Sequence, residues 1–214
     1  MIVLGVDPGT LATGWGVVVA EPRQPIRHVA HGVVRTRADD PLWDRLAFID
    51  AALAAVIAEH RPDALSLEQC FVSKNVQSAL KLGHTRGVIM VAARRAGADV
   101  FEYTPGQVKS AVTGNGRAEK HQVAEMVRII LGLAAAAASD ASDALAAAIC
   151  HGNGHASRAL TAAVVGIARR APPAAASAAS GVGSRRLPGG TAIPLAAASA
   201  ASGGGSRRLP GGSE

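Results

Sequence analysis

A short apolar run that ends in one acid and then turns constrains this chain more than any other feature: Val3-Leu4-Gly5-Val6-Asp7-Pro8-Gly9-Thr10. The run fits a buried strand. Pro8-Gly9 bends the chain immediately after it. Asp7 is therefore fixed at the tip of a core strand, pointing into whatever cleft the sheet edge makes. A lone carboxylate is costly to bury unless it is paired or binds a cation. The bland alternative is a turn-forming Asp before Pro-Gly, and its own spacing does not separate the two.

Three more acids stand in similar contexts. Glu68 ends the short apolar strand Ala64-Leu65-Ser66-Leu67, and Asp140 and Asp143 open an apolar helical stretch. A surface Glu at a strand end is ordinary, and acids in a first helical turn normally cap the helix and complement its dipole. Yet two strand-end acids on neighbouring strands would lie together, and residues i and i+3 share a helical face. Four carboxylates so placed would suit Mg²⁺, which prefers oxygen donors and few protein ligands. Two such ions about 4 Å apart can clamp a phosphodiester.

The remaining pattern predicts strands over 2–7, 13–20, 26–36, 64–67 and 100–103, with Gly14 and Gly16 inside the second. Helices are predicted over 41–60, 74–96, 105–112, 119–131 and 141–158. The first carries Leu42, Leu46, Ile49, Leu53, Val56 and Ile57 at helical spacing behind Pro41. The order β-β-β-α-β-α-β-α implies an α/β fold with a five-stranded mixed sheet and helices on both faces.

The 214 residues suffice for one full-sized domain. Aromatic residues make up only 3% against 49% hydrophobic, so the core must be built from Ala, Val, Leu and Ile. The net charge of +6 points weakly to a polyanionic partner. Half of it lies in residues 172–214, where Ala174–Gly190 and Ala196–Gly212 repeat one Ala/Ser/Gly-rich sequence 22 residues apart, differing at a single position. Two copies without an apolar stripe cannot form a solenoid; a disordered low-complexity tail is expected. The expected organisation is a folded domain over 1–157, an extension over 158–171 and the tail over 172–214. Cys70 and Cys150 form neither a metal spacing nor a disulfide framework. With no signal peptide and no spanning apolar run, a cytoplasmic, non-membrane protein is expected.

Four stretches carry a resemblance: GVDPGTLATGWGVV (5–18), LEQCFVSKNVQSALKLGHTRGV (67–88), YTPGQVKSAVTGNGRAEKHQV (103–123) and SDASDALAAAICH (139–151). They resemble, in the right order, the RuvC family of bacterial Holliday junction resolvases, within the ribonuclease H-like superfamily. The long match at 67–88 is highly specific. The resemblance implies a magnesium-dependent DNA endonuclease of recombination and repair, with two Mg²⁺ per subunit and Mn²⁺ as a substitute.

Residue by residue, Asp7, Glu68, Asp140 and Asp143 match the family's catalytic, metal-ligating acids. Phe71 matches a wedge that stacks on unpaired junction bases, although a Phe is ordinarily a core residue. Lys74, Lys81, Lys109 and Lys120 match DNA-binding positions, although each is also an ordinary solvated lysine. Cys70, Val72 and Ser73 depart from the family around Phe71, and His84-Thr85 replaces the usual Gln-Ala. The implied partners are a four-way DNA junction, a second copy of the chain docked through the 74–96 helix, and the RuvA–RuvB branch-migration motor. Val76, Leu80, Val88 and Val91 on that helix would equally fit packing on the sheet.

Three rivals follow from the same residues. One is another ribonuclease H-like nuclease acting on hybrids or linear duplex. A second is a noncatalytic junction binder, against which the presence of all four acids counts. The third is an actin-like phosphotransferase, whose phosphate loop Asp-x-Gly-Thr resembles; those proteins need two such domains, for which this chain is too short.

Overall fold

The structure, a computed structural model, describes residues 1–69 and 76–165, with side chains up to residue 154. Phe71, Lys74 and the 172–214 repeat lie outside the described residues. The elements in chain order are β1 (Ile2–Asp7), β2 (Ala12–Val19), β3 (Arg27–Arg35), α1 (Leu42–His60), β4 (Ala64–Glu68), α2 (Val76–Arg95), β5 (Asp99–Tyr103), α3 (Pro105–Thr113), α4 (Lys120–Leu131) and α5 (Ser139–Val165). They match the order read from the sequence. The last helix is longer at both ends than the expected 141–158, so Asp140 lies inside its first turn.

The strands form one sheet in the order β3-β2-β1-β4-β5. β1 runs antiparallel to β2 and parallel to β4, and β4 runs parallel to β5. On one face, Ile49, Leu53 and Ile57 of α1 and Ile89 and Ala93 of α2 pack with Leu4, Val6, Leu65 and Leu67. On the other, Val108 of α3, Val123 and Val127 of α4, and Leu145 and Ile149 of α5 pack with Val3 and Val18.

Side chains alternate between faces along a strand. With Leu4, Val6, Leu65 and Leu67 turned to α1 and α2, the residues Gly5, Asp7, Ser66 and Glu68 turn to α5. Two observations bear this out. Ser66 Oγ donates to the Ala147 carbonyl at 2.7 Å. A Cβ built on Gly5 would overlap the Ala144 carbonyl.

α5 lies so close to the sheet because small residues face each other. Gly5 and Gly14 present bare backbone, and Ala141, Ala144, Ala147 and Ala148 are buried opposite. A Cβ on Gly14 would overlap the Asp140 carbonyl and stand 2.8 Å from Ala141 N. Glycine is required here by close backbone approach rather than by dihedral angle.

α3 and α4 are fixed by their caps. α3 is capped by Thr104, whose hydroxyl accepts from Gln107 N while the Gln107 side chain accepts from Thr104 N. This reciprocal capping satisfies two otherwise unpaired donors. α4 begins with a similar exchange between Glu119 and Gln122, which fixes Lys120 as its first residue. Cys150 is buried as a free thiol, and burial pushes its pKa up to about 11, so it is inert at neutral pH.

Candidate active site

The four acids come from three elements and converge at one edge of the sheet. β1 and β4 are parallel neighbours, so their C-terminal residues Asp7 and Glu68 emerge at the same edge. The alternation above turns both toward α5. Asp7 pairs with Gly14 across the β1–β2 ladder, and the bare Gly14 backbone lies against Asp140. The start of α5 is thus seated beside Asp7, with Asp140 and Asp143 in its first two turns. The positive end of the helix dipole lies there too and favours negative charge.

Electrostatics show that the acids feel one another. Asp7 is raised from 3.8 to about 7, first by burial and then by the negative charges of Asp143, Asp140 and Glu68, with Lys120 acting in the opposite direction. Glu68 is also raised, by burial and then Asp143, while Lys109, Lys120 and Arg86 act against the shift. Burial penalises the charged form, and like charges penalise it further. A surface turn Asp would show neither effect. Shifts of this kind concentrate where chemistry is done.

Of the candidate lysines, Lys120 is drawn into this cluster. Its Nζ lies 2.7 Å from Asp143 Oδ2, and that hydrogen bond is the main cause of its raised pKa. Lys109, on α3, acts on Glu68 through its charge. Lys81 is exposed on α2; the cations that act on Glu68 are Lys109, Lys120 and Arg86 instead. Arg86 was not singled out by the sequence reading, yet it is buried at 9% exposure and donates to the Glu68 carbonyl at 2.6 Å. Its signal was a charged residue on the face of α2 that also carries buried Ile89 and Ala93.

Among the described residues, no three His, Cys, Asp or Glu side chains are grouped as a ready-made metal site. The donors are nonetheless all hard carboxylate oxygens under mutual repulsion. Such an open set suits Mg²⁺, which keeps several waters and takes one or two carboxylates. It does not suit a closed structural zinc site.

A five-stranded mixed sheet with acids on its central strand, on the parallel neighbour and on the last helix defines the ribonuclease H-like class. Comparison with known proteins agrees and goes further. The family model described as Crossover junction endodeoxyribonuclease RuvC matches residues 3–151. The Crossover junction endodeoxyribonuclease RuvC of Halorhodospira halophila is 48% identical over 167 residues, covering 78% of this chain and 98% of that protein. Its counterpart from Alkalilimnicola ehrlichii is 52% identical over 149 residues, covering 70% of this chain and 89% of that protein. The Thermus thermophilus RuvC structure in complex with a Holliday junction substrate superposes with a TM-score of 0.70 at 38% identity, covering 74% of this chain and 96% of the other. The yeast mitochondrial Holliday junction resolvase Ydc2 shares the fold, with a TM-score of 0.53 at 12% identity over 73% of this chain and 78% of the other. The chain belongs to the RuvC family of crossover junction endodeoxyribonucleases.

Proposed function

We propose that this chain resolves four-way DNA junctions by paired, metal-dependent nicks in recombination and repair. The observation that carries this reading is the convergence of Asp7, Glu68, Asp140 and Asp143, in which burial first and the neighbouring carboxylates second raise the Asp7 pKa to about 7. When bound, two Mg²⁺ ions would supply activation of the attacking water and stabilisation of the leaving oxygen. Asp7, Glu68, Asp140 and Asp143 are the residues that would hold the ions, with Asp7 on the central strand nearest the middle of the set. Mn²⁺, another cation suited to oxygen donors, would substitute. The water oxygen bonds to phosphorus as the bond to the 3′ oxygen breaks. The products are a 5′ phosphate and a 3′ hydroxyl, which a ligase can seal.

The lysines position the DNA. Lys109 and Lys120 flank the Gly114-Asn115-Gly116 turn beside the acids and bind backbone phosphates, with Lys81 on α2. For Phe71 and Lys74 the roles of base-stacking wedge and phosphate contact rest on the sequence resemblance alone. Without metal, Lys120 serves as counter-ion to Asp143, at 2.7 Å. Exchanging Lys120 for Met is therefore expected to tighten Mg²⁺ binding by about threefold in calorimetry, within the range of exposed ion pairs. The same variant should slow cleavage at least about tenfold, as expected of a lost charge contact at a phosphoryl centre. Unchanged Mg²⁺ affinity would contradict the counter-ion role.

A four-way junction has approximate two-fold symmetry, and a C₂ dimer presents two sites to it. The exposed face of α2 supports such a dimer. Val76, Leu80 and Val91 are 64%, 55% and 47% exposed, and Gly83 and Gly87 between them have open space above them. These positions recur at helical spacing, and the small residues would admit close approach of a second helix. Leu80→Asp is expected to give a monomer in sedimentation equilibrium and to convert paired nicks into single nicks. A persistent dimer would place the interface elsewhere.

The RuvA–RuvB motor is the proposed partner, and the cytoplasm the proposed compartment. No helix of the described residues is long and apolar enough to cross a membrane. Competition between a four-way junction and linear duplex tests the substrate assignment. Preferential junction cleavage is expected, whereas equal cleavage would favour a general ribonuclease H-like nuclease.

A further inference from the structure

Arg86 joins the helix that carries the proposed dimer face to the strand end that carries Glu68. The β1–β4 ladder ends at Val6 and Leu67, one residue before Glu68. Beyond that point Glu68 is paired only on its β5 side, with Tyr103, and Gln69 N donates to the Tyr103 carbonyl at 2.7 Å. The β1 side of the strand tip has no ladder support just where the acid leaves the sheet. Arg86 reaches this tip from α2. Its Nη1 donates to the Glu68 carbonyl at 2.6 Å, and its Nη2 forms a salt bridge with Glu102 Oε1 on β5.

One planar guanidinium thus bridges the ends of two adjacent strands. Its fork is rigid, and a lysine could not reproduce both contacts in one geometry. The ion pair is open on its Glu102 side, which is 41% exposed, and such pairs contribute little to stability. An arginine at this place is better explained by what it orients. It contacts the main chain of the very residue whose carboxylate turns toward α5 and feels Asp143.

We propose that Arg86 is a positioning residue for the nuclease reaction: it pins the backbone of Glu68 to α2 and so sets the site's metal affinity without touching DNA. This rests on Glu68 being a metal ligand. The test uses the full chain with Arg86→Lys, Arg86→Met and Glu102→Gln. Divalent affinity is measured by calorimetry with Mg²⁺. Junction affinity is measured in EDTA, and single-turnover cleavage across a Mg²⁺ titration.

The expected result for the Arg86 variants is an Mg²⁺ affinity weakened at least about fivefold. Their half-maximal Mg²⁺ for cleavage should rise in parallel, with junction affinity within about twofold of the parent chain. Glu102→Gln keeps the bond to the Glu68 carbonyl and should give a smaller shift in the same direction. If Arg86→Met fails to fold, Arg86→Lys and Glu102→Gln decide the matter. Folded variants with unchanged Mg²⁺ affinity would overturn the inference, as would a loss of junction affinity equal to the loss of cleavage. If the parent chain itself bound no Mg²⁺, the metal-site reading would fail instead, a distinct outcome.

Discussion

Asp7→Asn is expected to abolish junction cleavage and, in the absence of metal, to make the protein more stable. The activity loss should be at least about a thousandfold, as for other groups that act directly on the reacting centre. The stability gain follows from the sign of the Asp7 shift. Its carboxyl is raised from 3.8 to about 7 by burial and by three like charges. Between those values the folded state holds a proton that the unfolded state has released, so stability falls as pH rises from about 4 to about 7. Above that window the ionised Asp7 costs on the order of 2–4 kcal/mol, taking about 1.4 kcal/mol per pKa unit as an upper bound.

Asparagine keeps the shape and removes the charge. In EDTA at pH 8 the variant should melt about 5–10 °C above the parent chain, and the difference should vanish near pH 4. Adding Mg²⁺ should stabilise the parent by mass action and leave the variant unmoved. A turn-forming Asp predicts the opposite, a small loss of stability at every pH where the carboxylate is charged. Differential scanning fluorimetry across pH, with and without Mg²⁺, separates the two readings of this residue that the sequence leaves open.

Gly14→Ala is expected to cost about 3 kcal/mol or more and to remove activity as well. The added methyl would overlap the Asp140 carbonyl. That atom is backbone and cannot rotate aside, so overpacking here falls at the severe end of its range. Relief requires α5 to lift from β2, carrying Asp140 and Asp143 away from Asp7. Gly106→Ala in α3 is the control: nothing lies within 4 Å of its Cβ position. A helix favours alanine over glycine by up to about 1 kcal/mol, so this change should be neutral or stabilising. Chemical denaturation of both variants checks the contrast. Equal midpoints would mean that α5 does not seat as closely as described.

How much was legible beforehand differs from residue to residue. Asp7 and Glu68 were readable because short apolar runs bounded by turn residues end in them, and their placement together needed only that the two strands be neighbours. Gly14 and Gly16 were visible as odd residues in a strand, but nothing local showed that the helix start, over a hundred residues on, rests on Gly14. That contact is tertiary. α2 was ambiguous for a different reason. Its apolar residues Val76, Leu80, Val88 and Val91 would fit sheet packing, whereas the buried face is Thr85, Arg86, Ile89, Ala92 and Ala93. A helix that buries an arginine and exposes a leucine defeats hydrophobic periodicity, because the charge is satisfied by Glu102 and a carbonyl. Arg86 became visible only with its partners in place. The family resemblance implies the same four acids independently, through sequence matches around each, and the fold brings those residues to one end of the sheet.

The most direct test of the central claim is cleavage of a mobile four-way DNA junction by the full chain, with Mg²⁺ or with EDTA, and with the product ends mapped. The account predicts symmetric nicks in two strands that require Mg²⁺, leave 5′ phosphate and 3′ hydroxyl ends, and disappear in Asp7→Asn. Cleavage that persists in EDTA or in Asp7→Asn would contradict it.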